Sequence, residues 1–277
     1  MVSPTHRMIG PADDLYPVGL HDLEEQPRLY LAGALDERPG VAVVGSRRCT
    51  RYGVALAEGF GRIIADSGWT VVSGLARGID TAAHRGCLQA GGHAVAVLGS
   101  GIDVCYPREN QEVYDHILGS GGAILSEYPP GTRPDRWRFP ARNRIIASIS
   151  AAVVVVEASR TGGALITARL AAELGRPIFV VPGDVDRPAS EGCNRLIRDG
   201  AHPVLGDTDL VEELALILGP PQRTAERSAV EGIPTSGVPL EDLPSIWGLD
   251  MSQTLVRVGR LEVEGRIRRS GDIVLPA

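Results

Sequence analysis

From residue 41 onward, short continuous runs of β-branched and aliphatic residues recur along the chain: Val41–Gly45, Trp69–Ser73, His93–Gly99, Gly122–Ser126, Ala151–Glu157 and Pro177–Pro182. Their starts lie 24 to 29 residues apart. The intervening segments carry helical patterning, as in Tyr52–Ser67 and Ala164–Gly175. Unbroken apolar strands that alternate with helices predict a mostly parallel sheet covered on both faces. Right-handed crossovers between them build a doubly wound, Rossmann-like α/β domain over residues 41–218, preceded by a lead-in over 1–40. Each predicted strand ends in small or polar residues, such as Gly45-Ser46-Arg47, Ser73-Gly74, Gly99-Ser100 and Ser126-Glu127. In this architecture those carboxyl ends line one edge of the sheet, and ligands bind there.

The pattern changes after residue 218. Residues 219–238 are rich in proline and glycine and predict a linker. The last segment, 239–277, predicts a short helix over Pro239–Trp247, a turn at Gly248-Leu249, and a second helix over Ser252–Glu264. A two-stranded wing follows, from Arg266–Arg269 to Ile273–Leu275. These elements make a small winged-helix domain.

Composition then narrows the chemistry. The chain has 277 residues and a net charge of −6. It contains no lysine, so all 28 basic residues are arginine. That excludes a Walker A phosphate loop and any Schiff-base lysine. No apolar run approaches the ~20 residues of a membrane helix. The N-terminus lacks a signal-peptide core. Four scattered cysteines without a CxxC pair, and histidines without ligand spacing, predict reduced thiols in a cytoplasmic protein and neither a metal nor a cofactor. Against this acidic background, Arg133–Arg144 holds five arginines and two of the twelve aromatic residues. Guanidinium forks fit phosphate oxygens and rings stack on unpaired bases, so the mixture suits single-stranded nucleic acid. If about five phosphates are neutralised, the affinity falls with salt at a log–log slope near −3.5. A surface loop with Trp137 and Phe139 tucked into the core explains the stretch equally well in isolation, but its place at the ligand edge favours binding.

Other motifs are weaker taken singly. Gly45-Ser46-Arg47-Arg48 follows the first strand without the second glycine of a dinucleotide fingerprint, so Ser46 and Arg47 are candidate phosphate donors rather than parts of a NAD site. Thr161-Gly162-Gly163 opens a helix and offers free amides to an anion, or simply caps and packs it. Ser73, Asp80 and His84 lie close in sequence, and Glu127 and Glu157 sit at strand ends, but none forms a spaced nucleophile–base set.

In order along the chain, several stretches resemble the DNA-processing protein A (DprA, also called Smf) family. They are Val43–Arg47, Ser73–Asp80 with Ala83-His84, Leu98–Asp103 with Tyr106-Pro107, Ser126–Pro129, Phe139–Ile146, Gly163–Ala168, Val181–Gly183, and Gly192–Ile197 with Gly200-Ala201. The resemblance implies an extended Rossmann-like domain that binds single-stranded DNA without cutting or copying it. It further implies a homodimer that loads the recombinase RecA onto that DNA during natural transformation. Carried over residue by residue, the implied contacts are Ser46, Arg47, Phe139, Arg142, Asn143, Arg144, Thr161 and Gly162. Many members carry a helical domain before the Rossmann domain, whereas about forty residues precede Val41 here; that domain is absent or the chain starts late. The alternative is a Rossmann-type nucleotide phosphoribohydrolase, but Thr161–Glu173 lacks the proline and the spacing of that family's Pro-Gly-Gly-x-Gly-Thr-x-x-Glu loop. A winged-helix transcription regulator is disfavoured by the five arginines and six acids of residues 239–277.

Overall fold

The computed structural model describes residues 5–221, 232–234, 237–263 and 265–276. It divides into two compact units, Met1–Gln222 and Arg223–Ala277. The larger unit is a nine-stranded sheet. Its parallel strands are β3 (Gly40–Val44), β4 (Thr70–Ser73), β5 (Ala94–Gly101), β6 (Ala123–Tyr128), β7 (Ala152–Val155), β8 (Ile178–Val180) and β9 (His202–Pro203). Strands β1 (His6–Ile9) and β2 (Leu29–Gly33) add an antiparallel edge, β2 pairing with β6. The helices are α1 (Arg51–Asp66), α2 (Ile79–Gln89), α3 (Gln111–Gly119), α4 (Arg138–Ser148), α5 (Gly163–Glu173), α6 (Glu191–Arg198) and α7 (Asp207–Leu218).

The first forty residues are therefore not a separate lead-in. His6–Ile9 is too short and polar to stand out by periodicity, and it forms because its partner Leu29–Gly33 presents an open edge. The boundary read at residue 41 is moved by tertiary pairing, which sequence pattern does not record.

Pleating divides the strand residues between two cores. Val41 and Val43 face α1, α2, α3 and α7, with Phe60, Ile64 and Leu214. Ala42 and Val44 face the other side, with Ile145, Ile146, Ala168 and Ala171 of α4 and α5. Helices α1 and α2 touch backbone to backbone. A Cβ on Gly86 would overlap the Glu58 carbonyl, and one on Gly61 would overlap that of Ala83.

The strand order is β1-β2-β6-β5-β4-β3-β7-β8-β9. The chain winds outward from β3 to β6, then returns to lay β7 on the other side of β3. The carboxyl ends of β3 and β7 thus flank a topological switch point, where the loops leave on opposite faces and open a crevice.

In the smaller unit, β10 (Val238–Pro239), β12 (Ile273–Pro276) and β11 (Ile267–Ser270) form an antiparallel sheet with α8 (Leu243–Trp247) and α9 (Met251–Val263). Its core is small: Ile233, Val238, Leu243, Val258, Leu261, Ile267 and Val274. Strand β10 lies at the end of the expected 219–238 linker. Residues 222–231 and 235–236 of that linker, and Glu264 of the expected second helix, lie outside the described residues.

Gly86→Ala should destabilise the larger unit by at least about 2 kcal/mol, read from the urea midpoint. A better helix propensity of about 1 kcal/mol cannot offset a side chain forced against backbone. A neutral or stabilising substitution would show that α1 and α2 are not in this contact.

Candidate nucleic-acid interface

At the switch point lies a cleft of about 920 Å³. Its floor is built from strand ends and its walls from three loops and α4. The turn after β3 carries Ser46, Arg47 and Arg48. The Ser46 amide donates to the Glu157 carbonyl at 2.7 Å, which ties the turn to the end of β7, and the Ser46 hydroxyl accepts from the Arg48 amide at 3.1 Å. Gly78, at φ 80°, lets the β4–α2 loop press against the Ser46 carbonyl, where a Cβ would overlap. These bonds use backbone and the hydroxyl, so the guanidinium groups of Arg47 and Arg48 project from an anchored turn.

Opposite them stands Phe139 in the first turn of α4. Its ring packs over the end of β5, where an ideal Cβ on Gly99 would lie 2.8 Å from it, so glycine at that position gives the ring its seat. The Arg47 guanidinium sits 4.8 Å from the Phe139 centroid, and Tyr106 lies 5.6 Å from the same ring at an interplanar angle of 31°. Arg136 completes this wall. The far wall is the start of α5, whose cap, Gly162, makes no side-chain hydrogen bond. The Leu165 amide donates to the Gly162 carbonyl at 3.1 Å, while Gly163 and Ala164, at the first positions of the helix, line the cleft with amides available to an anion.

Two charged side chains reach the cleft from below. Arg142 is 3% exposed and donates to the carbonyls of Gly74, at 2.8 Å, and Val97. Burial lowers its pKa to about 10. Asp80 is buried beside it and accepts from the amides of Gly74 and Ala76 at 3.2 and 3.4 Å. Burial raises the Asp80 pKa, with Arg142 and then Arg47 opposing the rise. Gly74 is thus gripped from both sides, its N–H by the aspartate and its C=O by the arginine. A Cβ there would overlap the Arg142 guanidinium.

The expected contacts are accordingly divided. Ser46, Arg47, Phe139, Arg142, Asn143 and Gly162 line one cleft. Arg142 lines it with its guanidinium already occupied, and Asn143 is engaged with the Gly163 carbonyl at 3.4 Å. Thr161 is exposed just outside the cleft. Arg144 is not at the cleft: it points across α4 to an ion pair with Glu127, both about three-quarters buried. Two residues apart on a helix are turned by roughly 200°, so Arg142 and Arg144 cannot share a face. Pattern reading treated the arginines as one cluster because it did not apply the helical period inside the motif. Sequence reasoning did not single out Arg48, Arg136, Tyr106 or Ser159 as contacts, although the first three lie in stretches it named. Arg48 stood beside Arg47 and Arg136 within the arginine-rich stretch; Tyr106 reaches the cleft from a loop more than thirty residues before Phe139, a placement no short-range pattern records.

The carboxylates that could serve a reaction are committed to the framework. Glu157 is 7% exposed and accepts from the Thr50 amide at 2.8 Å and its hydroxyl at 2.5 Å, holding the N-terminus of α1. Glu127 pairs with Arg144, and the Ser73 hydroxyl donates to the Val43 carbonyl at 2.6 Å. His84 is fully buried with no hydrogen-bond partner on either ring nitrogen among the described residues, and burial lowers its pKa to about 3. Ser73, Asp80 and His84 therefore do not form a relay.

Fold and site together define a doubly wound α/β protein whose switch-point cleft is lined by arginine and aromatic groups. A family model described as DNA recombination-mediator protein A matches residues 7–215. The chain is 44% identical over 206 residues to DNA processing protein DprA of Streptococcus pneumoniae, covering 73% of this chain and 72% of that one. It is 43% identical over 218 residues to protein Smf of Synechocystis, covering 76% of this chain but 54% of that one, so it spans about half the length of that relative. Among solved structures, DNA processing protein A of S. pneumoniae superposes with a TM-score of 0.70 at 42% identity, covering 76% and 75% of the two chains. The Helicobacter pylori protein, described for its single-stranded DNA binding mode, does so with a TM-score of 0.70 at 28% identity, covering 77% and 97%. The chain belongs to the DNA recombination-mediator protein A (DprA/Smf) family.

Two expected outcomes follow from the buried groups. Arg142→Leu should cost about 3–5 kcal/mol in urea unfolding, because Asp80 is left buried without its neighbour, and adding Asp80→Asn should recover part of that. A loss below ~1 kcal/mol would contradict the buried coupling. His84 titrates near 6.5 unfolded and about 3 folded, so the unfolded chain binds the extra proton between those values. Its stability contribution is complete above pH 6.5 and declines by up to about 1.4 kcal/mol per pH unit as pH falls toward 3. His84→Leu should flatten that acid limb; an unchanged pH profile would show that His84 is not buried as a neutral ring.

Proposed function

We propose that this chain binds single-stranded DNA in the switch-point cleft and performs no bond-making or bond-breaking chemistry on it. One observation carries the proposal. In a protein of net charge −6, the cleft wall assembles four arginines against a single aspartate, with Tyr106 and Phe139 set among them. Arg47 and Arg48 supply forks for phosphate, the α5 amides supply a second anion site, and Phe139 with Tyr106 supplies a stacking surface for unpaired bases. The non-catalytic part rests on Glu157, Glu127, Ser73 and His84, each held by packing or by a structural partner.

Within this proposal Arg142 is a positioning residue that holds the loops, and Arg144 acts on stability through Glu127. Of the five arginines in Arg133–Arg144 only Arg136 and Arg142 line the cleft, so with Arg142 occupied the guanidinium groups offered to phosphate are three: Arg47, Arg48 and Arg136. Thr161 remains a peripheral contact at the cleft mouth, and Asn143 orients the start of α5. Family membership further supports a homodimer that hands its DNA to RecA in natural transformation, acting in the cytoplasm. Among the described residues no helix is long and apolar enough to cross a membrane. The C-terminal unit is proposed to be a winged helix that contributes through protein contact more than through duplex recognition, its charge being nearly balanced.

Full-length protein should bind oligothymidylate more tightly than duplex of equal length, and a nucleoside monophosphate should compete weakly and remain intact. Three neutralised phosphates give a log affinity–log salt slope near −2. Arg47→Ala should weaken binding and flatten that slope by ~0.7, and Arg47→Lys should restore only part because a point charge cannot lie flat on Phe139. Salt-independent affinity, tighter duplex binding, or release of free base would overturn the proposal.

A further inference from the structure

Outside the cleft, at the end of β6, a second aromatic group has no part in the binding just described. Trp137, the residue before α4, is 59% exposed, although the protein has only three tryptophans and Trp69 is 3% exposed. An exposed indole loses favourable burial, so its place on the surface calls for a partner. It is also held still. Its ring N–H donates to Asp135 at 2.9 Å, and it meets Tyr128 edge-to-face at 6.1 Å and 88°. Arg138 lies across both rings, its guanidinium 4.9 Å from the Tyr128 centroid and 5.1 Å from that of Trp137. Arg138 is fixed in turn by donating to the Arg133 carbonyl. Such fixing goes beyond what an incidental surface ring needs.

The platform adjoins the cleft. Phe139 is seated on the end of β5, Tyr128 ends the neighbouring β6, and Arg136, immediately before Trp137, lines the cleft wall. A strand leaving the cleft past Phe139 and Arg136 therefore meets Trp137 next. The surrounding cations favour a polyanion over an apolar partner, and a ring already oriented loses little freedom on stacking. We infer that Trp137, braced by Tyr128 and Arg138, is a second base-stacking site that extends the single-strand path beyond the switch-point cleft. The ligand class is an unpaired nucleobase of the strand held in the cleft, so the inference rests on the proposed function. Its distinct content is a longer footprint with a stacking group at one end.

The test is a graded series of oligothymidylates titrated against the full chain and its Trp137→Ala and Trp137→Phe variants. The indole is exposed, so neither variant threatens the fold; urea midpoints matching the wild type verify this. For the shortest oligomers that bind, Trp137→Ala should equal the wild type. Beyond the length at which the strand reaches the platform, wild-type affinity should rise and Trp137→Ala should lag by roughly tenfold, about 1.4 kcal/mol, with an unchanged salt slope. Trp137→Phe should recover most of the gap. Long oligomers alone should quench an emission component that Trp137→Phe lacks. Equal losses at every length, or no loss at any, would overturn the second site while leaving the cleft in place. A wild type that binds no oligomer would overturn both.

Discussion

The buried guanidinium of Arg142 governs the carboxyl edge of this protein. It takes the carbonyls of Gly74, just past β4, and Val97, within β5, and lies beside the buried Asp80 of α2. The loop after β4, the adjacent strand β5 and the start of α2 are thereby held to α4 in one geometry. Charges this deep are costly, and their mutual compensation is tolerable only because the aspartate has amide donors and the arginine has carbonyl acceptors. With Arg142 fixed, the first turn of α4 is fixed. Phe139 then lies on Gly99, and Arg47 can lie on Phe139. The cleft's exposed chemistry is a consequence of buried chemistry one helical turn away.

The sheet supplies the other half of that geometry. Reversal of strand order between β3 and β7 sends α1 and α5 to opposite faces and leaves the crevice between their N-termini. The two helix starts are used differently. At α1 the partial positive charge is occupied by Glu157, whose carboxylate is held by Thr50. At α5 no side chain caps the helix, and Gly162, Gly163 and Ala164 line the cleft. One N-terminus is closed by the protein's own anion and its neighbour is left for another. This asymmetry, with the surplus of arginine, gives a polar cleft in which the acids are held by the framework and Arg47, Arg48 and Arg136 line the wall.

Much of this was legible in the sequence, for identifiable reasons. Strands buried on both faces read as unbroken apolar runs, so all six parallel strands from Val41 to Pro182 lie within a few residues of the expected positions. The ligand edge followed from the residues that end them. The β1–β2 addition did not show, because His6–Ile9 draws its conformation from a partner more than twenty residues away. The arginine cluster was visible as composition but not as orientation. Arg142 and Arg144 stand two positions apart, yet α4 buries one under the cleft and turns the other to Glu127. Tyr106 and Arg48 complete the wall through loop geometry, and no short-range pattern encodes such a placement.

Ultraviolet crosslinking of a bound oligothymidylate to the full-length chain, with the modified peptides located by mass, tests the central claim most directly. The account predicts crosslinks on peptides containing Tyr106 and Phe139, lost at high salt and reduced in Arg47→Ala. Crosslinks confined to residues 237–276, with none on the loops around the β3–β7 switch point, would contradict it.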